Sequence, residues 1–231
     1  MATLVTFDID GTLIKFGGAS RNHPIAFMDA FEQLYQKIDF PERFIGKSTD
    51  GKTDFWISKE ILHKIKPNYA KAELEEINNL IITNFIDKSN QIPDLVPGAH
   101  EILQEILKMK DVKIGIASGN FPVIGWKKLE ITNLLQYFPN MISGMGYFDT
   151  RIECLLDAKQ TAEKQCNKQF KRFIHIGDTI NDVESARAAN FIPILVKTGR
   201  NIPETVTSSL NCVVVDNFEE GFDKILQTIA E

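Results

Sequence analysis

Leu4-Val5-Thr6-Phe7-Asp8-Ile9-Asp10-Gly11-Thr12-Leu13 begins as an apolar run and ends in two carboxylates. Leu4, Val5 and Phe7 read as a buried strand, and the acids stand where that strand must stop. Alternation along a strand sends Asp8 and Asp10 to one side and Ile9 to the other. Gly11-Thr12 then turns the chain away, leaving both acids at an exposed strand end. Two negative charges so close cost energy unless a cation or a proton separates their states. That cost points to chemistry.

Downstream of residue 93, apolar strands alternate with helices. A helix is expected over 99–109 and a strand over 112–117, ending in Ser118-Gly119-Asn120. A helix over 123–137, a short strand beginning at 141–142 and a helix over 151–166 follow. The strand 173–176 runs into Gly177-Asp178-Thr179-Ile180-Asn181-Asp182. Helix 183–189, strands 192–196 and 212–215, and helix 218–229 complete the pattern. Apolar strands separated by helices imply a parallel sheet covered on both faces, a doubly wound, Rossmann-like α/β core. Ligands of such sheets bind at the carboxyl ends of strands. Three strand ends here carry polar groups suited to that place: Asp8/Asp10, Ser118-Gly119-Asn120 and Asp178/Asp182.

Between the first strand and residue 90 the pattern is helical only. Ile25, Met28, Phe31 and Leu34 recur at helical spacing, as do Phe55, Ile61, Leu62 and Ile65, then Leu74, Ile77, Ile81 and Phe85. The expected organisation is a core of residues 1–15 and 91–231, with a helical cap of residues 16–90 inserted after the first strand. Gly46-Lys47-Ser48 within it suggests a phosphate-binding P-loop, but Pro41 stands where the first glycine is required and no buried strand precedes it. The stretch through Asp50-Gly51-Lys52-Thr53-Asp54 reads instead as a substrate-facing loop. His23, His63 and His100 share no metal-ligand spacing, and His175, inside an apolar strand, reads as a satisfied core residue.

Composition narrows the function classes. A formal net charge of -5 and scattered basic residues argue against nucleic-acid binding. No apolar run reaches the roughly 18 to 20 residues of a membrane helix, and the amino terminus lacks a signal-peptide pattern. Cys154, Cys166 and Cys212 form no Cys-x-x-Cys pair, which fits free thiols in a reducing cytoplasm. Nothing in the sequence specifies an oligomeric state.

Asp8, Asp10 and Asp178 could together supply oxygens to one hard divalent cation, for which Mg2+ is the natural candidate. With charge neutralised, one carboxylate can attack phosphorus while the other handles the leaving-group proton. Ser118 and the amides of Gly119 and Asn120 would bind phosphoryl oxygens, and a cation should complete the clamp. Asp8-Ile9-Asp10-Gly11-Thr12-Leu13 resembles motif I of the haloacid dehalogenase superfamily in its phosphatase form. Ser118 matches motif II, and Gly177-Asp178-Thr179-x-x-Asp182 matches motif IV. The helical insertion after motif I is similar to the phosphoglycolate-phosphatase-like branch.

The resemblance implies Asp8 as nucleophile and metal ligand, and Asp10 as general acid/base with its carbonyl on the metal. It implies Thr12 as support for the phosphate, Asp178 as a metal ligand, and Asp182 as a ligand through water or a partner of the ligands. Motif III carries no Lys-Pro pair here; Arg151, at a helix start, is the favoured cation and Lys159 the alternative. Lys159 lies eight residues further, about 12 Å along a helix. The expected activity is magnesium-dependent hydrolysis of a small phosphorylated metabolite, with no nucleic-acid or membrane partner. Alternatives are a phosphomutase using the same intermediate and a non-catalytic binding protein of the same fold.

Overall fold

The computed structural model describes residues 2–231. Its centre is β1 (Thr3–Phe7), every residue of which is buried. The remaining strands are β2 (Val112–Ala117), β3 (Ser143–Gly144), β4 (Arg172–Gly177), β5 (Ile192–Val196) and β6 (Val213–Val215). All pair in parallel, in the order β3-β2-β1-β4-β5-β6. That order places β2 and β4 on either side of β1, so the chain's progress across the sheet reverses there. A crevice opens at such a reversal, beyond the carboxyl ends of the strands.

Helices α5 (Ala99–Lys108), α6 (Pro122–Ile131), α7 (Arg151–Cys166), α8 (Ile180–Ala188), α9 (Glu204–Ser209) and α10 (Phe222–Ala230) belong to the alternating part. Before them stand α1 (Asn22–Leu34), α2 (Pro41–Ile45), α3 (Asp54–Ile65) and α4 (Lys71–Lys88). These four gather an apolar cluster of their own around Phe27, Phe31, Ile61, Ile77 and Phe85, which also takes in Phe121, just before α6, and Ile124 within it. The main core beneath the sheet is built on Val5, Phe7, Ile116, Ile174 and Ile194. The two passages between these clusters run side by side. Lys15 N donates to Asp94 O at 2.8 Å, and Val96 N donates to Leu13 O at 3.0 Å. The first residue of the expected core range lies outside the described residues.

Several boundaries differ from the sequence reading, each for a local reason. The helix expected over 123–137 breaks after Ile131, where Asn133 takes a left-handed conformation, and resumes as one 3-10 turn at Leu135–Tyr137. The short strand expected to begin at Met141-Ile142 begins instead at Ser143 and covers Ser143–Gly144, because Met141 has positive φ. The helix expected from 183 starts at Ile180, since Thr179 caps it by accepting from Asp182 N. The last helix begins at Phe222: Asn217 closes a turn on Glu220 instead, and Phe218 packs into the core. The short helix α2 gave no periodic signal. Among the described residues no helix is long and apolar enough to cross a membrane.

Candidate active site

The strand ends do converge. Asp8 follows β1, and its backbone N donates to Ile176 O of β4 at 2.9 Å, so the sheet registration itself fixes where the carboxylate begins. Gly11 then turns the chain at φ 82°, where a side chain would overlap both Asp178 and Phe16. Ser118 follows β2, held by its amide on Gly144 O at 3.2 Å. Asp178 follows β4, and Thr12 Oγ1 donates to its Oδ1 at 3.1 Å.

Arg151 is the buried cation of this group, 4% exposed on the first turn of α7. The capping box of Thr150 with Glu153 sets that helix start. Arg151 Nη1 donates to Asp8 Oδ1 at 3.1 Å, and Nη2 donates to Ala117 O at 3.1 Å and to Asp182 Oδ1 at 2.6 Å. Lys159 goes elsewhere: its Nζ stands 4.5 Å above the Phe173 ring. Thr12 is fully buried, and its hydroxyl is engaged by Asp178, so any support it gives a phosphate is indirect.

Burial and charge set the protonation of the acids. Burial pushes the Asp8 carboxyl above the usual carboxylate range, with Arg151 opposing. Burial, and then the neighbouring Asp182 and Asp8 charges, push Asp178 well above it. Burial would raise Asp182 too, but Arg151 and His175 outweigh it and hold that carboxyl low. His175 bonds Thr6 Oγ1 through Nδ1 at 3.0 Å and faces Asp182 through Nε2 at 3.4 Å, as a satisfied core histidine does. Asp10 also lies low, because the charge of Lys128 and the hydrogen bonds from Lys128 and Asn120 overcome the effect of its burial.

The donor set suits a hard divalent cation. Asp8, Asp178 and Asp182 each offer an oxygen, all within 4.8 Å of one another. Asp178 Oδ2 is buried without a hydrogen-bond partner, a costly condition that a cation relieves. Among the described residues no main-chain amide donates to the Asp10 carbonyl. Asp182 is already committed to Arg151 and to the Thr179 hydroxyl, which donates at 2.6 Å.

Above these groups lies a cavity of about 320 Å³. Asp8, Asp10, Ser118, Gly119, Asn120, Arg151 and Asp178 form its floor, and the helical segment forms its roof. Thr49, Asp50, Gly51, Lys52 and Asp54 of the expected substrate-facing stretch line it, whereas its front, residues 44–48, does not. Gly119 is pressed beneath that loop, where a side chain would overlap Lys52 O. Asp54 N donates to Gly119 O at 2.8 Å, and Asn181 Nδ2 donates to Gly51 O at 2.5 Å. Lys47 of the Gly-Lys-Ser stretch pairs with Glu60 outside the cavity.

Sequence reasoning missed Lys128 and Arg200, gave His23 no role, and placed Asp54 only within a substrate-facing loop. Lys128 is 2% exposed, with its Nζ 2.6 Å from Asp10 Oδ2. A signal existed: Lys128 falls one helical turn after Ile124 and beside Leu129, both fully buried.

A family model for haloacid dehalogenase-like hydrolases matches residues 2–190. The chain belongs to the haloacid dehalogenase-like hydrolases. Solved structures of similar fold include CbbY from Rhodobacter sphaeroides in complex with phosphate, with 17% identity, TM-score 0.71 and 96% of each chain covered. β-Phosphoglucomutase from Clostridium difficile has 19% identity and TM-score 0.68, covering 100% of this chain and 98% of its own. A protein from Haemophilus somnus, described as a predicted phosphoglycolate phosphatase, has 17% identity and TM-score 0.62 over 98% of both chains. At these identities the likeness is one of fold. A search of curated protein sequences gives no significant match. Asp8, Ser118, Arg151 and Asp178 converge at the floor of the cavity, which makes that floor the candidate reacting centre.

Proposed function

We propose that this haloacid dehalogenase-like hydrolase is a magnesium-dependent phosphatase for a small phosphorylated metabolite, with residues 16–90 as a cap over the core of residues 1–15 and 91–231. The observation that carries the reading is Asp178 Oδ2, buried without a partner, in one acidic cluster with Asp8 beneath the cavity. Asp8, Asp178 and the Asp10 carbonyl would hold Mg2+, and Asp182 would hold Arg151 and the turn around them. Bound there, the ion supplies charge neutralisation between the nucleophile and the phosphoryl oxygens.

The chain's own residues do the rest. Asp8 attacks phosphorus as the bond to the leaving oxygen breaks, and Asp10 gives that oxygen its proton. Water then attacks the aspartyl phosphate, Asp10 takes the water's proton, and the bond from Asp8 to phosphorus breaks to release inorganic phosphate. Ser118, Gly119, Asn120 and Arg151 would hold the non-reacting phosphoryl oxygens, and Thr12 would steady Asp178. The loop Thr49 to Asp54 would exclude bulk water and select the substrate.

The test is phosphate release from p-nitrophenyl phosphate and a panel of phosphometabolites, with magnesium and with chelator, for the wild type and Asp8→Asn. Turnover that needs magnesium and disappears in Asp8→Asn is the expected result. Transfer to a second substrate with little free phosphate would mark a phosphomutase. Folded, magnesium-loaded protein without turnover would mark a binding protein.

A further inference from the structure

Lys128 is a lysine with no freedom left. An ammonium has three donors, and this one faces three partners: Asp10 Oδ2 at 2.6 Å, Asn120 Oδ1 at 2.7 Å and His23 Nδ1 at 3.0 Å. The side chain reaches them past the Phe85 ring, 5.7 Å from its centroid. With Nδ1 accepting from Lys128, His23 presents its Nε2 proton to Asp54 Oδ2 at 3.1 Å. Asp54 Oδ2 also accepts from Phe121 N at 2.7 Å. The ammonium is therefore located by α1, by the start of α3 and by the loop after β2 at once.

Asp10 Oδ2 accepts from Asn120 Nδ2 as well, at 2.8 Å, so both neighbouring side-chain donors fall on the same oxygen. Among the described residues no donor reaches Asp10 Oδ1, and Asp10 lines the cavity. We propose that Lys128 is a positioning residue for the acid–base step. By fixing Oδ2 it leaves Oδ1 as the oxygen that passes a proton to the departing alkoxide and later takes one from the attacking water. Lys128 itself does not touch the substrate. The inference rests on the phosphatase reading and adds to it a residue that lies in none of the family motifs found in the sequence.

A leaving group that needs no proton separates this role from a structural one. A nitrophenolate departs unprotonated, whereas an alkoxide requires the acid. The experiment compares kcat/KM for p-nitrophenyl phosphate with that for the best alkyl phosphate of the panel, in wild type and in K128M. Because both substrates are assayed on one preparation, partial misfolding cancels from their ratio. The expected result is that K128M loses at least about tenfold more on the alkyl phosphate, a share of the roughly hundredfold or greater worth of general acid catalysis. A smaller change in the ratio overturns the proposal, whatever the absolute losses. K128Q, shorter by one atom and uncharged, gives a second reading of the ratio if K128M does not yield soluble protein. A wild type that hydrolyses neither substrate would instead overturn the phosphatase reading, and the proposal with it.

Discussion

Gly199 lies against Asp178 so closely that a side chain there would overlap the carboxylate Oδ2. The neighbouring Thr198 Oγ1 donates to Gly11 O at 2.5 Å, so the loop after β5 is anchored to the turn after Asp10 and cannot back away freely. Gly199→Ala should displace Asp178 without touching the cavity's other walls. Changes just outside a metal's ligands typically cost about 10- to 100-fold in affinity. Magnesium titrations followed by thermal unfolding should show at least about a tenfold weaker midpoint for this variant. An unchanged midpoint would remove Asp178 from the metal site.

Asp182 and Arg151 form a buried ion pair at 2.6 Å, both nearly sealed from solvent. Removing one member of such a pair leaves the other charge uncompensated, at a cost of about 3–5 kcal/mol. Asp182→Asn should therefore lower stability in urea by about 3 kcal/mol, moderated because Asp8 still faces Arg151. A loss below about 1 kcal/mol would show that the pair is replaceable by neutral hydrogen bonds.

The metal-free protein should lose stability as pH rises. Asp8 and Asp178 have folded-state pKa values above the ordinary carboxylate value of 3.8, so the unfolded chain gives up those protons first. Their contribution is intact below that value and is lost as pH climbs through the raised folded values. Asp182, held low, acts in the opposite sense, and its contribution disappears only as pH falls through its depressed value. Magnesium would hold Asp8 and Asp178 ionised, so its stabilising increment should be greater at about pH 8 than at about pH 5. Urea unfolding with and without chelator at both values reads this directly. Equal increments would contradict it.

Arg200 joins the two sides of the cavity mouth. Its Nη1 and Nη2 reach Glu42 at 2.9 and 2.6 Å, and its Nε faces Asp50 at 2.8 Å. These groups are partly exposed, so the pairing should add only about 0–1 kcal/mol and weaken with salt. Arg200→Ala should leave global stability nearly unchanged while amide exchange accelerates in the loop around residues 46–53. Unaltered exchange there would mean that Asn181 and Thr53, bonded to Gly51 O and Phe148 O respectively, hold the loop without it.

What the sequence disclosed, and what it withheld, follows from distance along the chain. Asp8, Ser118 and Asp178 each terminate an apolar run, so strand alternation and the turn that follows place them with no knowledge of the rest of the fold. Arg151 is favoured by its resemblance to relatives that place Arg at this helix start, and by the distance of Lys159 from the strand end. Lys159 remained open because spacing alone could not say that its stem would lie over Phe173. Lys128, beside Lys127 on a helix, looks like half of a solvated pair despite the local hint of Ile124 and Leu129; the packing of α6 against α4 turns one lysine inward and leaves the other on Glu130. The encounters of Gly199 with Asp178, and of Arg200 with Glu42, join segments that no local pattern relates. Helix ends escape periodicity wherever a single residue decides them, as Asn133 and Thr179 do.

The apolar cluster of the helical segment extends past that segment's own ends. Lys15 and Asp94 cross side by side, so the segment between them could in principle be exchanged for that of a relative without disturbing the order of the strands. Phe121 and Ile124, however, lie outside that segment and still belong to its apolar cluster. A transplanted segment would meet two side chains shaped to its predecessor, directly beside Ser118-Gly119-Asn120. An exchange that kept this cluster packed would have to change residues 121 and 124 together with the segment.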